Sequence, residues 1–103
     1  MIKATVLYPN APGARFDHDY YRDRHMPLVA ERMGPHCLGY TIDRGIPGPG
    51  GEAPPFLAVC HILAEDLERF RAGFEPHAEE LFGDIPHYTD VTPVVQFSEV
   101  VRG

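Results

Sequence analysis

The sequence predicts an α+β fold, an antiparallel sheet with helices packed on one face. Three observations carry this expectation. Strand-like and helix-like runs follow one another in the order β-α-β-β-α-β. Glycine and proline clusters separate the runs. The length, 103 residues, suits one domain over 1–103 and no more.

"IKATVLY" (residues 2–8) is β-branched and stops at Pro9, as a first strand does. "PNAPGAR" is a loop. Asp17 is placed to cap a helix, with Phe16 and Tyr21 at the spacing of a hydrophobic staple. Pro27 lacks an N–H and disfavours helical geometry at Met26, so this helix is expected to end or kink near His25. "PLVAERMG" then restarts as a short second helix, stopped by Gly34 and Pro35. "CLGYTIDRG" (37–45) is the second strand, "IPGPGGEAPP" a loop, and "FLAVCHIL" (56–63) the third strand. Glu65 and Asp66 give an acidic helix start, and Leu67, Phe70 and Phe74 follow at helical spacing. Pro76 interrupts, Ala78, Leu81 and Phe82 continue the stripe, and Gly83 ends it. "YTDVTPVVQFSEVV" (88–101) is a long last strand, and Pro93 marks it as an edge or a bulge. This order is the split-βαβ, ferredoxin-like arrangement.

Both faces of the third strand are apolar. Phe56, Ala58, Cys60 and Ile62 point one way, and Leu57, Val59, His61 and Leu63 the other. Helices cover only one face, and a sheet wet on the other would alternate apolar with polar. The second face is therefore expected to meet another sheet, most simply in a symmetric homodimer.

Composition narrows the function classes. At 44% hydrophobic and 23% charged, the chain reads as an ordinary soluble protein. Its net charge is −6 and no Lys/Arg cluster occurs, which argues against nucleic acid and anionic membrane surfaces. Cys37 and Cys60 lack metal-ligand spacing and sit among apolar residues, as small buried hydrophobes do. "MIKATVLYPN" lacks the pattern of a signal peptide, and no apolar run is long enough to span a bilayer, so a cytoplasmic location is the expectation. No glycine-rich phosphate loop leads from a strand into a helix, no pair of histidines has zinc-enzyme helical spacing, and no nucleophile-elbow motif occurs. No metal and no cofactor is expected.

Two stretches, "FDHDYYRDRHMPLV" and "FEPHAEELFGDIPHYTDVTPVVQFSEV", carry a family resemblance in the right order. In them the sequence resembles the EthD family of the dimeric α/β-barrel superfamily, over nearly the whole chain. The resemblance implies a ferredoxin-like fold and a homodimer whose two sheets form a barrel. The family is named for ether degradation. The superfamily includes cofactor-free polyketide cyclases, small monooxygenases, muconolactone isomerases and haem-degrading enzymes, so the shared fold does not name a reaction.

Two histidines are candidates for chemistry. His25 lies four residues after Tyr21, on the same helix face, where the expected helix C-terminus favours the imidazolium. It either exchanges protons or caps the carbonyls freed by Pro27. His77 shares a helical stripe with Phe74, Ala78 and Leu81, which directs it at the sheet. It is either a base, as a histidine on the corresponding helix of some superfamily cyclases implies, or a satisfied core residue. His61 belongs to the helix side or to the partner side. His87 rims a site, His18 is solvated, and His36 lies in a turn.

The leading reading is a small cofactor-independent cyclase, isomerase or monooxygenase acting on a hydrophobic, aromatic or polyketide-like molecule. His77 is its base, His25 a second acid/base group, and the Tyr21 hydroxyl steadies an enolate. Tyr20, Tyr21, Met26, Phe70, Phe74, Leu81 and Phe82 supply the walls. The rival is a non-catalytic binding or accessory protein of an oxidative degradation pathway. Haem binding, with His77 axial, is a third reading.

Overall fold

The buried strand residues, among them Ala4, Tyr8, Ala58, Cys60, Ile62 and Ala64, all fall on one face, the pattern of a sheet covered on one side. In the computed structural model, which describes residues Met1–Gly103, the strands are β1 (Ile2–Pro9), β2 (Gly39–Arg44), β3 (Phe56–Ala64) and β4 (Val94–Glu99). They form one antiparallel sheet in the order β2-β3-β1-β4, the ferredoxin-like topology. β4 is an edge strand, and Pro93 stands just before it, where no ladder bond is lost. β4 is shorter than the run 88–101. The 3₁₀ turn Ile85–His87 and an isolated bridge between Phe16 and Thr89 turn Tyr88 and Thr89 into the core instead.

Asp17 caps the first helix by accepting from the Tyr20 N–H at 3.0 Å, and Phe16 packs on Tyr21 with ring centroids 5.2 Å apart. Of the two expectations near His25, an end or a kink, the end does not occur, and the helix instead changes its winding there. Helix α1 (His18–Tyr20) passes through a π turn (Tyr21–His25) straight into α2 (Met26–Met33). In the π turn the Met26 N–H donates to the Tyr21 carbonyl, one residue further back than in an α-helix. The wider turn is where the backbone takes up Pro27, which has no N–H and whose ring crowds the preceding turn. Magnitudes explain why the helix continues. A proline in a helix interior costs about 3 kcal/mol. Tyr21, Met26 and Val29, on both sides of Pro27, are buried, and each such side chain contributes about 1.5–3 kcal/mol. Packing wins. The helix ends at Gly34, whose φ of +59° continues no helix.

The second helical segment does break, as expected, at Pro76. α3 (Leu67–Phe74) is capped by Asp66, which accepts from the Arg69 N–H at 2.8 Å. A 3₁₀ turn (Glu75–His77) leads to α4 (Ala78–Gly83). α3 packs closely on the end of the first helix at Gly73. A Cβ there would stand 2.7 Å from His36 Cβ and 3.2 Å from the Met33 carbonyl oxygen. Gly73→Ala should therefore lower stability by about 1–3 kcal/mol, through forced separation of these elements. Chemical denaturation measures it, and an unchanged midpoint would show that the contact yields.

No helix is long and apolar enough to cross a membrane.

Candidate functional site

The helices do not close completely on the sheet. Between them lies a cavity of about 540 Å³. Ala4, Val6 and Tyr8 of β1, Ile62 of β3, and Val95 and Phe97 of β4 form its floor. Tyr21, His25, Met26 and Val29 line it from the first helix, Phe70 and Phe74 from α3, and Ala78, Leu81 and Phe82 from α4. The only charged or titratable groups among its walls besides the tyrosines are His25, Arg71 and Glu75. Arg71 and Glu75 are solvent-exposed and pair with each other at 2.9 Å, so His25 is the polar group of the interior.

Of the residues singled out from sequence, Tyr21, His25, Met26, Phe70, Phe74, Leu81 and Phe82 line this cavity; Tyr20 and His77 do not. His77 leaves the wall because Pro76 converts the helix to a 3₁₀ turn over Glu75–His77. Three residues per turn instead of 3.6 rotates residue 77 off the stripe of Phe74, Ala78 and Leu81. His77 is half-buried beside Glu80. Tyr20 turns away from the cavity and donates its hydroxyl to Asp84 Oδ1 at 2.8 Å.

Asp84 organises the site, and nothing in the sequence spacing marks it. It follows α4 directly, in "FGDIP", 59 residues from His25. Its Oδ2 lies 2.9 Å from His25 Nδ1. A carboxylate only accepts, so Nδ1 carries the proton and donates it. The pair is sheltered, with side chains 7% and 16% exposed for His25 and Asp84. Burial pushes Asp84 up, but the hydrogen bonds from His25 and Tyr20 outweigh it and hold the carboxyl below its ordinary value. Burial pushes His25 down, and Asp84 only partly offsets this. At neutral pH the site therefore holds a neutral imidazole with its lone pair on Nε2. That nitrogen makes no hydrogen bond to protein. No fully buried side-chain nitrogen or oxygen lacks a partner, so Nε2 keeps accessible surface, and His25 is part of the cavity wall. His25 is thus no helix cap, and no helix C-terminus supports its charge; the π turn carries the backbone past it.

Tyrosine rings hold His25 in place. Tyr21 stacks on it with centroids 5.4 Å apart and an 18° interplanar angle, and Tyr88 lies 4.6 Å away on another side. Tyr88 meets Tyr8 through a 2.6 Å hydroxyl–hydroxyl hydrogen bond. The Tyr21 hydroxyl, near the Tyr8 hydroxyl and the Cys60 thiol, makes no well-formed hydrogen bond and by the same reasoning keeps accessible surface, and Tyr21 is part of the cavity wall. Burial raises the pKa of all three tyrosines, so each is an O–H donor at neutral pH. Tyr8 and Tyr88 stood at strand positions in the sequence reading, where only burial and contact reveal them.

The remaining candidates lie elsewhere. His61 points away from the helices, toward the uncovered sheet face, with Nδ1 2.9 Å from Thr5 Oγ1, so of its two expected sides it takes the one away from the helices. His87 is exposed and stacks on Tyr20 at 6.0 Å. His18 is half-buried against Phe16, with ring centroids 4.7 Å apart, rather than free in solvent. Both cysteines are free. Cys60 is buried, and desolvation pushes its thiol up to about 11, which keeps it an unreactive hydrophobe. No three His, Cys, Asp or Glu side chains converge to hold a metal ion.

Comparison with known proteins places this geometry in a family. The family model described as the EthD domain matches residues 14–92, which includes His25, Tyr21, Asp84 and Tyr88. The fold matches the crystal structure of an EthD-like protein from Ralstonia eutropha JMP134 with a TM-score of 0.94 at 48% identity, covering 98% of this chain and 92% of that one. An EthD family protein from Bacillus halodurans C-125 matches with a TM-score of 0.73 at 21% identity, covering 96% and 97%. HapK from Hahella chejuensis, at a TM-score of 0.59, 14% identity and coverage of 98% and 95%, shares the fold. Among curated proteins nothing matches. On the family model, over most of its length, and on the relative at nearly half identity, the chain belongs to the EthD family.

Proposed function

We propose that the cavity binds a hydrophobic, aromatic or polyketide-like small molecule and catalyses a proton transfer on it without a cofactor. The observation that carries this reading is the orientation of His25. Its Nδ1–H is tied to Asp84, which leaves the Nε2 lone pair unbonded in the wall of an otherwise apolar cavity that Tyr21 also lines. A ligand carbonyl accepts from Tyr21. Nε2 takes a proton from the adjacent carbon, the C–H electron pair becomes the C=C bond of an enolate, and the carbonyl π electrons move to oxygen, where Tyr21 steadies them. Asp84 holds the resulting imidazolium. Cyclisation, isomerisation or oxygen insertion can each start from that enolate.

Exchange of the α-protons of 1-tetralone for deuterium, followed by NMR, tests the reading with a planar, enolisable aryl ketone. Exchange above the buffer rate that depends on the protein supports catalysis. Binding without exchange makes the protein a carrier.

We also propose that two copies pair through the uncovered sheet face. Leu7, Leu57, Val59 and Leu63 are only half-buried there, an apolar surface around the Thr5–His61 hydrogen bond that water covers poorly. Sedimentation should show a dimer, and Val59→Glu, which places a charge in that face, should yield a folded monomer. A monomeric parent protein would refute the pairing.

A further inference from the structure

Three phenol hydroxyls meet at the polar end of the cavity, and their protons outnumber the strong acceptors in reach. Each tyrosine carries one O–H donor. Tyr8 and Tyr88, 2.6 Å apart, use one proton between them. No carbonyl or carboxylate of the protein accepts from either, and the Tyr21 proton also lacks a well-formed bond. Even if Tyr21 closes on Tyr8, an open set of three hydroxyls makes two mutual bonds and leaves one proton over, for which the neighbouring Cys60 Sγ is only a weak acceptor. Its direction follows from burial. Tyr88 is fully buried and off the cavity wall, whereas Tyr8 and Tyr21 line it. Tyr88 therefore donates to Tyr8, and the spare donors of Tyr8 and Tyr21 face the cavity. An O–H that already accepts a hydrogen bond is a stronger donor.

We propose that Tyr8, Tyr21 and Tyr88 form an oxyanion site, which selects planar aromatic ligands bearing an ionisable oxygen, namely phenols and enolisable aryl ketones. The inference rests on the aromatic-cavity reading above and adds to it the group by which the ligand is recognised. Tyr8 and Tyr21 give the charged oxygen two donors, and Tyr88 acts through Tyr8 without touching the ligand. The neighbouring Nε2 accepts the proton that a phenol gives up on binding. The aromatic wall built by Phe70, Phe74 and Phe97, with ring centroids 5.5 Å and 5.2 Å from Phe70, takes the rest of a planar molecule.

The test pairs 2-naphthol with 2-methylnaphthalene, alike in size and differing in the oxygen. In titrations at mildly alkaline pH, the parent protein should bind 2-naphthol about tenfold more tightly or better, the scale of a hydrogen bond to a charged group. The bound ligand should show the naphtholate absorption band at a pH where the free molecule is neutral. Tyr8→Phe and Tyr21→Phe should each remove the preference and the band while leaving 2-methylnaphthalene binding unchanged. Equal affinity of the two ligands for the parent protein would overturn the oxyanion site and leave the apolar cavity standing. Failure of both ligands to bind would overturn the cavity reading, and this inference with it. The ligand pair decides the matter even where a variant folds poorly.

Discussion

Replacing His25 with phenylalanine should abolish catalysed exchange of 1-tetralone, a loss of about 10²–10⁴-fold in rate, while the ketone still binds. Phenylalanine keeps the stacking on Tyr21 and Tyr88 and removes only the two nitrogens. Asp84→Asn should fall in the same range for a different reason. An amide can donate to Nδ1, which moves the imidazole proton to Nε2 and leaves the cavity facing an N–H with no lone pair. His77→Phe should leave the rate unchanged, since residue 77 is off the cavity wall. A large loss in that variant would return the base to His77. The pH profile separates positioning from mere structure. Burial holds His25 below its ordinary 6.5, so the parent rate should be level at neutral pH and fall on the acid side with an apparent pKa under 6.5. The same depression links folding to pH. The unfolded chain binds a proton at His25 more readily than the folded one, so stability is fully present above about 6.5 and is lost as pH falls from there through the folded-state pKa.

Tyr88→Ala should cost about 3–5 kcal/mol, the range for removing a fully buried aromatic side chain. Its ring touches those of Tyr8, Phe16, Tyr20, Tyr21 and His25, so it joins β1, the first helix and the loop after α4. Against a total stability of roughly 5–15 kcal/mol for a domain, that is a large share, and the midpoint of denaturation should fall accordingly. Tyr88→Phe keeps the ring and loses one hydroxyl–hydroxyl bond, at a net cost of about 1 kcal/mol. The ratio of the two losses tests whether packing or hydrogen bonding dominates here. Nearly equal losses would mean that the hydroxyl pair holds the cluster together.

Local signals in the chain were legible where one segment decides them alone. Asp17 and Asp66 cap the helices they precede, because a cap needs only its own side chain and the next turn of backbone. The apolar stripe of Phe70, Phe74, Leu81 and Phe82 faces the cavity, because helical period sets it. Two site expectations failed where a proline met tertiary packing. At Pro27 the buried residues on both sides keep the chain helical through a π turn. At Pro76 no fully buried side chain stands within two positions on either side, so the 3₁₀ turn persists and His77 rotates away. Propensity is the same at both prolines, and the burial around them differs.

The sequence by itself determined the element order, the caps, the family and the face of the first helix on which His25 stands beside Tyr21. All of these rest on residues a few positions apart or on pattern along a single strand or helix. Only the tertiary structure decided what the "RHMPL" histidine does. It brings Asp84 to Nδ1 from 59 residues away and Tyr8 to Tyr88 across 80, and it sets His25 in a cavity wall with Nε2 unbonded. The physical reason is that proton position and pKa depend on partners and desolvation in space, and the fold sets both.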